Sequence, residues 1–240
     1  MKSTFLTAEW NNLIMANYII DPAILIPYLP PATELDVYNG NNYVSLIGFM
    51  FEKTKIKGIR IPFHVNFEEV NLRFYVRYLD EGVWKRGAVF IKEIVPKPGI
   101  SIVANTLYNE KYSTRRMKHF YTKNADNIHL GYSWKNKGKW NRLEANTHPE
   151  AIAMQPGGKE EFIAEHYWGY AKYNNTTTFE YAVTHPSWQV HIVKDYLIDC
   201  DFNALYGRQF AFLEVTKPDS VFMAAGSPIS ILGKKNIKVK

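Results

Sequence analysis

The sequence predicts a mainly β protein of the α+β class, with a few short helices and one domain over residues 1–240. Two observations lead there. Apolar and polar residues alternate over long stretches, most clearly in VNFEEVNLRFYVRYL (65–79). There Val70, Leu72, Phe74 and Val76 fall on one face and Glu69, Asn71, Arg73 and Tyr75 on the other. A period of two is the mark of a strand with one apolar face. Helical periodicity, by contrast, is confined to three short segments. With 14 Phe, 16 Tyr and 6 Trp in 240 residues and 22% charged residues, the chain describes a packed domain with a large core, not a disordered one.

Taken in order, residues 12–20 read as a strand. DPAILIPYL (21–29) reads as a helix, with Asp21 as N-cap and Pro22 at its first position. NYVSLIGFMF (42–51) is apolar on both faces, which predicts a strand covered on both sides. Strands 65–79 and 83–95 follow. After Pro96 and Pro98, Ile100, Val103, Ala104, Leu107 and Tyr108 recur at helical spacing, an amphipathic helix that runs out near Asn109–Glu110. Strands are predicted at 115–122, 128–134 and 139–145. The last two flank KNKGK, a hairpin turn with Gly138 at positive φ. GGKEEFIAEH (157–166) is a third helix. Strands at 166–173, 177–184, 188–199, 220–225 and 228–238 complete the chain, with turn signals at HPS (185–187) and TKPDS (216–220).

Composition narrows the partners. The net charge is +6, from 29 basic and 23 acidic residues, with basic enrichment at 111–118, 135–142 and 234–240. That spread reads as solvated surface, and no nucleic-acid module accompanies it. The first residues lack the basic-then-apolar layout of a signal peptide, and no apolar run has the length of a membrane span. A lone Cys200 cannot form an internal disulfide, which fits the cytoplasm. HExxH, phosphate-loop, GxGxxG and GxSxG motifs are absent, so neither a metal nor a cofactor is expected.

The candidate functional residues lie in four places. In TLYNEKYSTRRMKH (106–119), Lys111 has two readings. It is a cation closing a helix C-terminus, or it is a Schiff-base nucleophile. The second needs a lowered pKa, which Arg115 and Arg116 favour and Glu110 opposes. Glu69, Asn71, Arg73 and Tyr75 project the same way at steps of ~6.6 Å. They make cross-strand pairs in solvent or, if the sheet closes on itself, line a pocket that orients a carboxylate or carbonyl. EHYWGYAKY (165–173) offers His166 as a ligand contact, with Glu165 on the opposite face of the strand. THPSWQVH (184–191) offers Trp188, beside Val190 and opposite Gln189 and His191.

Together, YIIDPAILIPYLPPATELDVYNGNNYVSLIGFMF, FEEVNLRFYV, LYNEKY, EHYWGYA and VTHPSW, in that order, resemble the YqjF-like family of uncharacterised conserved proteins over nearly the whole chain. That family is similar to acetoacetate decarboxylase. The similarity implies an antiparallel β barrel or double sheet with a few short helices around a central, largely apolar cavity, and assembly into at least a homodimer. In the decarboxylase a nucleophilic lysine sits just past a helix, beside a second lysine in a Tyr-Pro-Lys-Lys run. The equivalent stretch here is NEKYST. Aligning the helices puts Tyr112 at the nucleophile's position and Lys111 one residue early, and the Lys-Lys pair is missing. Glu69 matches a pocket glutamate of the decarboxylase.

These readings set an expectation: a small carbonyl- or carboxylate-containing molecule bound by Asn71, Arg73, Tyr75, Tyr112, His166 and Trp188, with Glu69 as acid or base. Two alternatives stand beside it. One is a keto-acid decarboxylase or lyase acting through Lys111. The other is a non-enzymatic binding or scaffold protein with a basic surface.

Overall fold

The alternating segments fold into fourteen strands in a computed structural model that describes residues 3–239. The first half of the chain runs β1 (Thr4–Ile20), α1 (Pro22–Leu25), β2 (Glu34–Leu35), β3 (Asn42–Ile56), β4 (Phe67–Asp80), β5 (Val83–Val95), α2 (Pro98–Tyr108), β6 (Tyr112–Thr114) and β7 (Met117–Lys123). The second runs β8 (Ile128–Asn136), β9 (Lys139–Ala153), α3 (Lys159–Ala164), β10 (Trp168–Lys172), β11 (Thr177–Thr184), β12 (Gln189–Asp199), α4 (Phe202–Tyr206), β13 (Ser220–Leu232) and β14 (Lys235–Lys238).

Seven of these strands close on themselves. Pairing proceeds β13–β1–β3–β4–β5–β10–β11, and β11 returns to β13 through Val183↔Ile231 and Thr184↔Ser230. From β13 the sheet also continues outward through β12, β9, β8 and β7. This second part folds back over one face of the ring. Val44, Leu46, Val70, Leu72 and Phe74 pack there with Ile128, Leu130, Trp134 and Leu143 and with Phe202 and Leu205 of α4. The approach is close enough that a Cβ at Gly48 would lie 2.7 Å from the Tyr132 ring. The opposite face of the same strands carries Ile47, Phe49, Phe51, Phe67 and Tyr75, which pack inside the ring with Phe162 and Ile163 of α3. Burying a side chain of this size is worth about 1.5–3 kcal/mol. Two cores on two faces explain why 42–51 is apolar throughout.

The elements depart from expectation at places with local causes. β1 begins at Thr4, eight residues before the predicted start, because a bulge with Asn12 at φ 59° breaks the period of two. The two strands expected at 220–225 and 228–238 are the continuous β13 followed by the short β14. The sheet is mixed rather than wholly antiparallel, since β5 pairs in parallel with β6 and with β10. Parallel neighbours need a crossover, and α2 supplies the one between β5 and β6. The helix predicted at 157–166 is Lys159–Ala164, and β10 starts at Trp168, so His166 lies in the connection rather than in a strand. The segment 21–29 splits into α1 and a 3-10 turn at Ile26–Tyr28. α4 and the 3-10 turn Arg208–Glu214 were not anticipated, although Asp201 caps α4 by accepting from the Ala204 N–H at 2.8 Å. No helix among the described residues is long and apolar enough to cross a membrane.

Candidate functional site

Register assembles the site. Ile47 of β3 stands opposite Asn71 of β4, Asn71 opposite Glu93 of β5, and Glu93 beside Tyr112 of β6. Same-face neighbours on adjacent strands lie about 5 Å apart, so one row of side chains crosses four strands inside the ring. Phase is set at the end of α2, where Asn109 adopts the left-handed conformation (φ 56°, ψ 34°). The residues after it then alternate. Glu110 and Tyr112 turn inward, while Lys111 is exposed, with its ammonium 4.9 Å from the centre of the Tyr28 ring.

The interior holds two adjoining spaces. The inner one, about 60 Å³, is lined by Trp10, Glu69, Asn71, Arg73, His166 and Tyr112, among others. The outer one, about 70 Å³, lies between β1, β3 and α2. At 10–15 Å³ per water-sized group, each accommodates roughly four to seven non-hydrogen atoms. Phe51, Glu93, Tyr112, Tyr181 and Ile231 border both. Gly169 makes part of this possible. It faces Tyr181 across β10 and β11, and a Cβ there would lie 2.1 Å from the phenol carbon.

Three glutamates are buried at this boundary, and none is an ordinary carboxylate. Glu69 accepts from the Asn71 amide and the Tyr112 hydroxyl, each at 2.9 Å. Burial still pushes it up to about 7, against those hydrogen bonds and the nearby Arg73. Glu110 accepts from the Tyr181 hydroxyl at 2.7 Å and is pushed up by burial to about 8. Glu93 lies well above the carboxylate range, raised by burial and then by Glu110 and Glu69. Near neutral pH, Glu93 and Glu110 are therefore carboxylic acids. Burial likewise raises both tyrosines well above their ordinary range, so they remain hydrogen-bond donors.

The remaining charge in the inner space belongs to Arg73. Its Nη2 donates to the Ile163 carbonyl at 3.2 Å, while its buried Nε has no hydrogen-bond partner among the described residues. Asn71 Oδ1, Glu93 Oε2 and Trp10 Nε1 are also buried without a hydrogen-bond partner among the described residues. His166 stacks on Tyr75 at 4.5 Å, with Asp36 Oδ2 3.6 Å from its Nε2. Burial holds it down to about 4 despite Asp36, which Arg86 engages at 2.6 Å. It is a neutral imidazole. No group of three or more His, Cys, Asp or Glu among the described residues is arranged to hold a metal ion.

The structure therefore brings Glu69, Asn71, Arg73, Tyr112 and His166 together around one space. It sets the other three candidates outside that lining. Tyr75 is buried behind it and donates to Ser45 Oγ at 2.7 Å. Trp188 is buried, donates from Nε1 to Ser227 Oγ at 2.8 Å, and braces Trp10 edge-on at 6.3 Å. Lys111 points away. Glu93, Glu110, Tyr181 and Trp10 also line these spaces, beyond the residues the sequence pattern singles out. Only Glu93 had a usable signal, an acid lodged between Ile91 and Ile94 in an apolar strand.

A seven-strand ring with a second sheet folded over it and an acid-rich interior defines an acetoacetate decarboxylase-like fold. The chain superposes on acetoacetate decarboxylase from Legionella pneumophila with a TM-score of 0.68 at 14% identity, covering 98% of this chain and 88% of that one. It is similar also to the enduracididine biosynthesis enzyme MppR complexed with pyruvate, with a TM-score of 0.65 at 12% identity over 98% and 91% of the two chains. Identities this low establish the fold alone. By sequence, the chain belongs to the DUF2071 family of uncharacterized conserved proteins, whose pattern matches residues 7–228. It is 28% identical over 180 residues to the uncharacterized protein YqjF of Bacillus subtilis (strain 168), covering 74% of this chain and 72% of that protein.

Proposed function

We propose that the inner space binds a small carbonyl- or carboxylate-containing organic molecule, with its oxygens set against Arg73 and Asn71 and with Glu69 and Tyr112 as the proton-handling pair. The observation that carries this is the buried Nε of Arg73, a donor with no partner among the described residues. A guanidinium keeps its positive charge through the physiological range and matches a planar oxyanion. Glu69, a carboxyl that shares the inner space with it and feels its charge, is neutralised about half the time near pH 7. An anionic head group supplies the missing partner. Glu69, hydrogen-bonded to the Tyr112 hydroxyl, exchanges a proton near neutral pH, as a general acid or base must. That MppR has been captured with pyruvate in a similar fold supports the ligand class.

A lyase acting through Lys111 has less support. Its ammonium lies over Tyr28, outside both spaces, and the residue that enters in its place is Tyr112. Calorimetric titration with pyruvate tests the proposal. Wild type is expected to bind saturably, and Arg73→Met to bind at least tenfold more weakly, the range of a lost charge-assisted hydrogen bond. Equal binding by the two proteins would overturn it.

A further inference from the structure

The outer space has no role in holding a molecule the size of pyruvate. Its walls are Phe5 and Leu6 of β1, Ile56 of β3, and Val103 and Ala104 on the inner face of α2. Its polar groups gather at the boundary with the inner space, where Glu93, Glu110, Tyr112 and Tyr181 stand. Ordinarily three carboxyl groups at such a waist would repel an apolar chain by demanding water. Here Glu93 and Glu110 carry protons near neutral pH, and Tyr181 engages Glu110. The waist is thus polar but uncharged on the outer side, and the guanidinium of Arg73 lines only the inner space.

The order from the outside inward is apolar walls, neutral acids, then a guanidinium. We infer that the ligand is an amphiphile: a carboxylate or 2-oxo acid head on Arg73, continued by an unbranched aliphatic tail of about five carbons that occupies the outer space. The tail length follows from the volume of that space, about 70 Å³, at about 15 Å³ per chain carbon, the upper end for a water-sized group because a methylene is bulkier than water. The inference rests on the head-group reading above and adds a second subsite to it. Gly169 belongs to the same design, because a side chain there would displace the Tyr181 ring, which borders both spaces.

The test is a length series of straight-chain 2-oxo acids, from pyruvate to 2-oxodecanoate, titrated into the full chain, with Arg73→Met and Ala104→Phe as variants. In wild type the affinity is expected to rise about fourfold for each methylene, then flatten once about five carbons extend past the head. Ala104→Phe fills the outer space from α2. It is expected to abolish the rise while leaving the affinity for pyruvate within about twofold. The wild-type series decides the matter even if that variant fails to fold. Arg73-dependent binding that is indifferent to length would overturn the tail subsite and leave the head-group reading standing. Length-dependent binding that persists in Arg73→Met at full strength would remove the head-group reading and this inference with it.

Discussion

The three buried glutamates make stability fall as pH rises, and Glu110→Gln isolates one of them. A carboxyl held protonated in the folded state and ionised in the unfolded chain gives the native form the larger number of bound protons. Stability then declines with pH by about 1.4 kcal/mol per unit for each such group. For Glu110 the folded value is about 8 against an ordinary 4.5. The contribution is complete below about 4.5 and is lost progressively up to about 8. His166, His185 and His191 act in the opposite sense, since burial lowers all three, but only below their ordinary 6.5. The window from pH 6.5 to 8 therefore separates the two effects. Across it Glu110 alone costs about 1.5–2 kcal/mol, and Glu93, held above the carboxylate range by burial, acts in the same direction. For a chain of this length the Glu110 contribution amounts to a fall in Tm of roughly 3–8 °C. In Glu110→Gln the amide carbonyl still accepts from the Tyr181 hydroxyl, so the packing is kept while the titration is removed. Urea denaturation followed by tryptophan fluorescence at pH 6.5, 7.25 and 8 reads the slope. The variant is expected to lose one proton's worth of pH dependence and to be the more stable protein at pH 8. Parallel slopes for the two proteins would show that Glu110 ionises normally in the folded state.

Gly169→Ala is expected to displace the Tyr181 ring, break its bond to Glu110 and lower stability by about 1–3 kcal/mol; thermal unfolding that matches wild type would contradict this. Lys111→Ala is expected to leave pyruvate binding unchanged, and intact-mass analysis after borohydride treatment to show no Lys111-dependent adduct; an adduct present in wild type and absent from the variant would restore the lyase reading. Carboxylate affinity is expected to weaken as pH rises through about 7, because ionised Glu69 then competes with the ligand for Arg73 while protonated Glu69 does not; titration at pH 6 and 8, with constant affinity as the opposing result, checks it.

The strand pattern was legible because alternation needs no knowledge of the partner, and β3, β4 and β5 appear where it placed them. What alternation cannot distinguish is a polar face turned to water from one turned to a lumen. Glu69 and Asn71 are 2% exposed, although their spacing equally suits a solvent-facing strand. The difference is made by β11 meeting β13, a contact between distant segments that leaves no local mark. Lys111 and Tyr112 teach the complementary lesson. A cation next to a helix end draws the eye, but a single left-handed residue, Asn109, decides which neighbours turn inward. The two ends of α4 are marked in DFNALYG by Asp201 as N-cap and Gly207 as C-cap, a signal too short for apolar periodicity to show.

The ring is joined at β11–β13 by only two paired residues on each strand. Most other joints around it run for far longer, as between β1 and β13 or β4 and β5. Two of the four residues at this seam, Val183 and Ile231, also face the interior, and Ile231 borders both spaces. This joint, as short as the one between β5 and β10, is therefore part of the wall of the ring's contents. A molecule held in the inner space as proposed would touch Val183 and Ile231, one on each edge of that joint. The Val183 amide turns away from this joint and donates to the Tyr167 carbonyl at 2.9 Å, so on β11 the amide that faces β13, and whose exchange with solvent deuterium reads how often the joint opens, is that of Thr184.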